Sequence, residues 1–199
     1  MPQANRDVFI NCPFDKQYIK FFRALVFVII RSGFRPRCAK EEDNAAEGRI
    51  EKICKIISSC GYGVHDISRT SADKTTGLPR FNMPLELGLF LAANRFGRGR
   101  GKKCCAILDA EPYRYRDFIS DISGQDIRAH RDRPNTLITE VAGWLRIQSR
   151  DQSVPGGKKI ASEFAEFIEK LPAICKKLSL ADDELTFFDL QALVIEYLR

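Results

Sequence analysis

Between residues 7 and 147 the chain passes five times from a short β-like run to a helical or polar stretch, and few architectures accommodate that order. Val8–Asn11 (VFIN), Phe34–Cys38, Tyr62–Ile67 (YGVHDI), Lys103–Leu108 (KCCAIL) and Asp126–Arg128 read as strands. Pro36 puts the second of these near a sheet edge, because proline cannot donate to a ladder on both sides. Gln17–Ser32 reads as a helix that is apolar almost all round and stops at Ser32-Gly33, so it must be covered on most sides. Ile50, Ile53, Cys54, Ile56 and Ile57 recur at helical spacing, and Met83–Asn94 forms a third helix. Thr136 is the expected cap of a fourth helix through Val141, Trp144 and Leu145. Strands alternating with helices imply a five-stranded, mainly parallel sheet covered by helices on both faces, with reactive groups at the carboxyl ends of the strands.

Gln148–Lys158 (QSRDQSVPGGK) reads as a linker that divides an α/β domain at 1–147 from a C-terminal helical extension at 159–199. Ile160, Phe164, Phe167, Ile168, Leu171, Ile174 and Leu178 keep a helical stripe there, with Pro172 as a kink point. The last helix carries two apolar faces: Leu185, Phe188, Ala192 and Ile195 on one, Phe187, Leu190, Val194 and Leu198 on the other. Either both dock on the parent domain, or one docks there and the other on a second subunit, which gives a homo-oligomer.

The longest apolar run, Ala24–Ile30, is far below the roughly 20 residues of a membrane span. The opening Met-Pro-Gln-Ala-Asn-Arg has no signal-type apolar segment. Seven scattered cysteines without a C-x-x-C pair, and only two histidines, favour reduced thiols over a disulfide framework or a zinc site. A cytoplasmic protein without metal or membrane contact is expected. Residues 151–199 hold six Lys/Arg and nine Asp/Glu, so the overall charge of +6 leaves +9 on residues 1–150. A basic body favours anionic partners such as nucleotides or nucleic acid.

Between Met83 and Ala93, Glu86 is the only ionisable side chain, flanked by Leu85, Leu87, Leu89 and Phe90. A carboxylate on an apolar helix is costly unless it is paired, hydrogen-bonded or used. Pro84 suits a first helical turn, which puts Glu86 near the positive end of the helix dipole at the strand-end crevice. It is either a functional carboxylate or a capping or core ion-pair residue. Gly88 allows close approach of a strand or a ligand. Asp66 ends the third strand and either meets a ligand or caps the following loop as an Asx turn. His65, on the opposite face of that strand, reads as a core histidine.

In the first strand-to-helix loop, Phe14 could stack on a base or pack beneath the helix, Asp15 reads as an N-cap and Cys12 as a buried thiol. Gly97–Lys103 follows a helix instead of preceding one, so it is no phosphate loop; it reads as a solvated basic hairpin, with anion or nucleic-acid contact as the alternative. Tyr113-Arg-Tyr-Arg116 interleaves rings with guanidiniums, a weak signal for nucleic acid, which remains an unfavoured partner.

Asp7-Val-Phe-Ile-Asn11, the strand end Asp66-Ile-Ser68 and Glu86-Leu-Gly88 at the opening of a helix together resemble the TIR-like and nucleoside 2-deoxyribosyltransferase-like superfamily over residues 6–147. The first segment is similar to the D-V-F-I-S strand of TIR domains, and Asn11-Cys-Pro-Phe14 to the A-G-P-F turn of deoxyribosyltransferases. The resemblance implies a flavodoxin-like fold and cleavage of an N-glycosidic bond in NAD or a related nucleotide, bound as substrate and not as cofactor. It makes Glu86 the catalytic carboxylate, with base and sugar contacts at Asn11, Pro13, Phe14, Asp66 and Ser68. Arg80 and Asn82 join them, standing where deoxyribosyltransferases carry D-x-G-T. It also implies a role in bacterial antiviral defence, with a defence-system partner protein. The alternative is a nucleotide sensor of the same fold without catalysis.

Overall fold

The computed structural model describes residues 5–41, 44–70, 72, 77–97 and 102–199. Five strands, β1 (Asp7–Asn11), β2 (Arg35–Cys38), β3 (Tyr62–Asp66), β4 (Cys104–Asp109) and β5 (Ile127–Ala129), form one sheet in the order β2-β1-β3-β4-β5, with every pairing parallel. This is the flavodoxin-like arrangement. Pro36 sits in β2, an edge strand, and the chain reverses its direction of travel across the sheet between β1 and β3. At such a switch point the loops diverge and leave a crevice beyond the carboxyl ends of the strands.

Six helices accompany the sheet: α1 (Ile19–Arg31), α2 (Arg49–Ser59), α3 (Asn82–Phe96), α4 (Pro134–Ser149), α5 (Gly157–Lys177) and α6 (Phe187–Tyr197). α1 and α4 cover one face; α2 and α3 cover the other. Between β4 and β5 the chain makes two 3-10 turns, Arg114–Asp117 and Ser120–Ile122. Tyr115 and Ile122 from these turns fill a cluster with Ile67, Met83, Leu87 and Ile107.

The all-round apolar character of α1 has a clear cause. Every residue from Phe21 to Ile29 is buried, because Val8, Ile10 and Val64 lie beneath the helix while α4, α5 and α6 pack around it. Each large side chain so enclosed contributes about 1.5–3 kcal/mol. The C-terminal helices thus share one core with the sheet. Arg31 binds Glu163 at 2.6 Å, the buried Arg23 binds Asp182 at 2.9 Å, and Arg6 pairs with Asp151, so three ion pairs fasten the C-terminal segment to the α/β body.

Local details depart from the sequence reading. Residues 148–149 complete α4, Val154 is buried, and α5 begins at Gly157 and runs unbroken through Pro172. α4 begins at Pro134, whose missing N–H and preset φ suit a first turn, so Thr136 lies inside the helix and does not cap it. β5 falls one residue later than expected. On α6, which opens with a Thr186–Asp189 capping box, Phe187, Leu190 and Val194 are buried, whereas Phe188 and Ile195 are 61% and 43% exposed. One apolar face docks on α1 and the other stays open. Among the described residues, no helix is long and apolar enough to cross a membrane.

Candidate functional site

At the carboxyl ends of β1 and β3, successive side chains point to opposite faces of the sheet. Asn11 and His65 face α3. The Asn11 Nδ2 donates to His65 Nδ1 (3.1 Å) and to the Met83 carbonyl (2.8 Å), which ties the strand ends to the first turn of α3. The His65 ring meets Phe9 and Phe90 edge-on, at 5.9 and 4.8 Å. Burial pushes the imidazole down to about 3, so it is neutral, as a core histidine should be. A Cβ at Gly63 would stand 2.7 Å from His65 Nε2 and 2.8 Å from Phe90, so glycine is what lets these rings sit over β3.

Glu86 is the fifth residue of α3, just past the first turn. Phe81 precedes the helix without a side-chain cap, and Glu86 makes no capping bond. It is only 7% exposed, yet among the described residues it has neither hydrogen bond nor ion pair. Burial pushes its carboxyl up to about 7, opposed only by the guanidinium of Arg49. Burial raises the thiols of Cys12 and Cys38; the charge of Glu86 adds to this, and the ammonium of Lys40 opposes it. The bond from Asn11 to the Met83 carbonyl sets the first turn of α3, and Glu86 just past it, near the end of β1; Lys40 and Arg49 are exposed cations. Gly88 is exposed, and an added Cβ would meet nothing within 4 Å, so no close approach depends on it.

Asp66 points the other way. Its carboxylate accepts hydrogen bonds from the Tyr18 hydroxyl and, as an Asx turn, from the Ser68 amide (2.8 Å). His130 Nε2 approaches to 3.2 Å, off the line of a hydrogen bond. The His130 Nδ1 accepts from the Asp132 amide, which turns Nε2 towards Asp66. Tyr18, Asp66 and His130 are fully buried. Burial alone would raise the Asp66 carboxyl; His130, the Ser68 amide and the Tyr18 hydroxyl outweigh it and hold the group below the usual carboxylate range. Of the two roles open to Asp66 from the sequence, the structure holds the Asx turn. Ser68 is buried beside it. Sequence reasoning missed His130 as a structural partner; its one signal is its place directly after β5.

The remaining expected contacts scatter. Pro13 is buried. Phe14 is half-buried, edge-on to Phe22 at 5.4 Å, with Lys40 Nζ 5.2 Å from its centroid. Asp15 accepts from the Tyr18 amide (3.0 Å) at the entry to α1 and binds Arg80 at 2.6 Å. That pair brings the β1–α1 loop beside the N-terminus of α3, where Asn82 is exposed. Asn11, by contrast, is held by His65 and Met83. Glu86 lines none of the three cavities bounded by described residues, of about 630, 340 and 280 Å³.

Of the basic loop at 97–103, residues 98–101 lie outside the described residues. Lys103 Nζ donates to the carbonyls of Ile57 (2.8 Å) and Cys60 (2.5 Å) at the end of α2. In the Tyr113–Arg116 stretch, Arg114 binds the buried Asp109, and Arg116 lies 4.7 Å from the Tyr113 centroid, so the guanidiniums already have partners within the chain. Comparison with family models, with curated proteins and with solved structures finds no match to this chain.

Proposed function

We propose that the chain is a nucleotide N-glycosidase that breaks the glycosidic bond of NAD or a related nucleotide, with Glu86 as the catalytic carboxylate. One observation carries this reading: a carboxyl only 7% exposed just past the first turn of α3, with neither hydrogen bond nor ion pair and a titration raised to about 7. An unpartnered buried carboxylate interacts strongly with positive charge that develops next to it, because little solvent screens the pair. In cleavage of a nicotinamide-type nucleotide, the electron pair of the C–N bond returns to the ring nitrogen, and the base leaves neutral. The sugar becomes oxocarbenium-like, Glu86 stabilises it, and water completes hydrolysis with release of one proton. Arg49, the cation that acts on Glu86, supplies positive charge for phosphate. The resemblance of the β1, β3 and α3 segments to TIR-like enzymes supports the same assignment, and with it a place in antiviral defence.

The test is release of nicotinamide from NAD by the purified chain. Glu86→Gln should lower kcat/KM by at least about 100-fold. Since the ionised carboxylate is the active form, kcat/KM of the parent should rise about tenfold per pH unit until the Glu86 carboxyl is ionised, near 7, and then level off. Undiminished turnover in Glu86→Gln overturns the mechanism. A second reading, a nucleotide sensor without catalysis, is favoured by the internal bonds that engage Asn11 and Asp66. It predicts that nucleotide stabilises parent and Glu86→Gln equally, without turnover.

A further inference from the structure

On the opposite face of the sheet from α3, the C-terminal segment closes a cavity of about 340 Å³ over the N-terminal half of α1. Its apolar wall is aromatic: Phe14 meets Phe22 edge-on at 5.4 Å, and Phe22 meets Phe187 at 6.0 Å, with Ile19 and Leu185 beside them. Its rim is charged and unevenly paired. Asp15 is bound by Arg80, and Asp182 by Arg23, the latter at 2.9 Å, so these four charges are matched. Lys16, Lys40 and Asp183 also line the cavity and carry no ion pair with one another, which leaves two cations against one carboxylate. Lys40 Nζ stands 5.2 and 5.7 Å from the Phe14 and Phe22 centroids, so a cation overhangs the ring surface itself. A cavity of a few hundred Å³ with an aromatic wall and a few charged groups is the usual make-up of a small-ligand site.

We propose that this cavity binds a mononucleotide: a planar ring against Phe14, the one partly exposed ring of its aromatic wall, with its phosphate at Lys40 and Lys16. Ring stacking supplies affinity for any base, and the two ammonium groups add charge-assisted bonds to the phosphate. The site does not depend on Glu86, which lies across the sheet on α3, and it exists only because residues 182–190 wall it. The C-terminal segment is thus part of a binding site as well as part of the core.

Calorimetric titration of the full chain with AMP, adenosine and inorganic phosphate tests the assignment. AMP should bind at least about tenfold more tightly than adenosine or phosphate, since ring and anion are held together. Ile19→Trp, which fills the cavity from a half-exposed position, should abolish AMP binding without lowering the unfolding temperature. The surface pair Lys16→Glu with Lys40→Glu should weaken it by about tenfold or more even if the tryptophan variant fails to fold. Equal binding of phosphate and AMP, no binding of AMP, or AMP affinity indifferent to the lysine changes would overturn the proposal.

Discussion

Two carboxyl groups lie near the carboxyl ends of the strands, and their neighbours treat them in opposite ways. Asp66 ends β3 on the α1 side, fully buried and contacted by Tyr18, Ser68 and His130; Glu86 follows the first turn of α3 on the other side, nearly as buried and contacted by none. Burial therefore does not decide which is structural. What decides it is whether the neighbours satisfy the charge. The Asp66 carboxyl is held ionised by its donors, and the Glu86 carboxyl is driven towards its neutral form by the lack of them. A satisfied buried charge fixes geometry, and an unsatisfied one is a standing cost that a ligand can relieve.

The largest expected effect tests the satisfied side. Asp66→Ala removes the acceptor of Tyr18 and the neighbour of His130, and should cost about 3–5 kcal/mol in denaturant unfolding. A variant as stable as the parent would break the contrast. Acid should act on the same group. The Asp66 titration is lowered on folding, so its stabilisation is present above the unfolded carboxylate range and is lost as pH falls through the folded value.

Glu86 should behave with the opposite sign. Its folded titration is raised to about 7 from 4.5, so its penalty is absent below about 4.5, grows as pH rises, and is complete above about 7. At pH 8, Glu86→Gln should therefore be more stable than the parent by about 3 kcal/mol, with the gain fading to nothing near pH 4. An equally large gain at both pH values would mean that packing, and not charge, lies behind it. The smallest effect concerns the helix that carries Glu86. Gly88→Ala should raise the unfolding free energy by about 0.5–1 kcal/mol, since the site is helical, exposed and open. A loss would show a close approach to Gly88 after all.

The same contrast marks what could be read from the chain itself. Strand and helix order, the edge position of Pro36 and the buried His65 are local patterns, and all are found in the fold. Glu86 stood out because a lone charge among leucines is conspicuous in one dimension. The state of Asp66 was illegible, because Tyr18 and His130 lie 48 and 64 residues away and only the assembled sheet brings them together. The exposure of Gly88 is illegible in the sequence for a related reason: spacing within α3 does not say which side faces the sheet. Likewise, two apolar faces were visible on α6, but the choice of the Phe187 face depends on where α1 lies.

The enclosure of α1 bears on how the molecule is made. This helix follows the first strand, yet its cover includes Phe187, Leu190 and Val194 from the last helix described. During synthesis its phenylalanines and branched side chains leave the ribosome long before that lid exists. The nascent chain carries this half-clad segment until residues 187–194 emerge, and that interval is when shielding of its apolar side chains matters most.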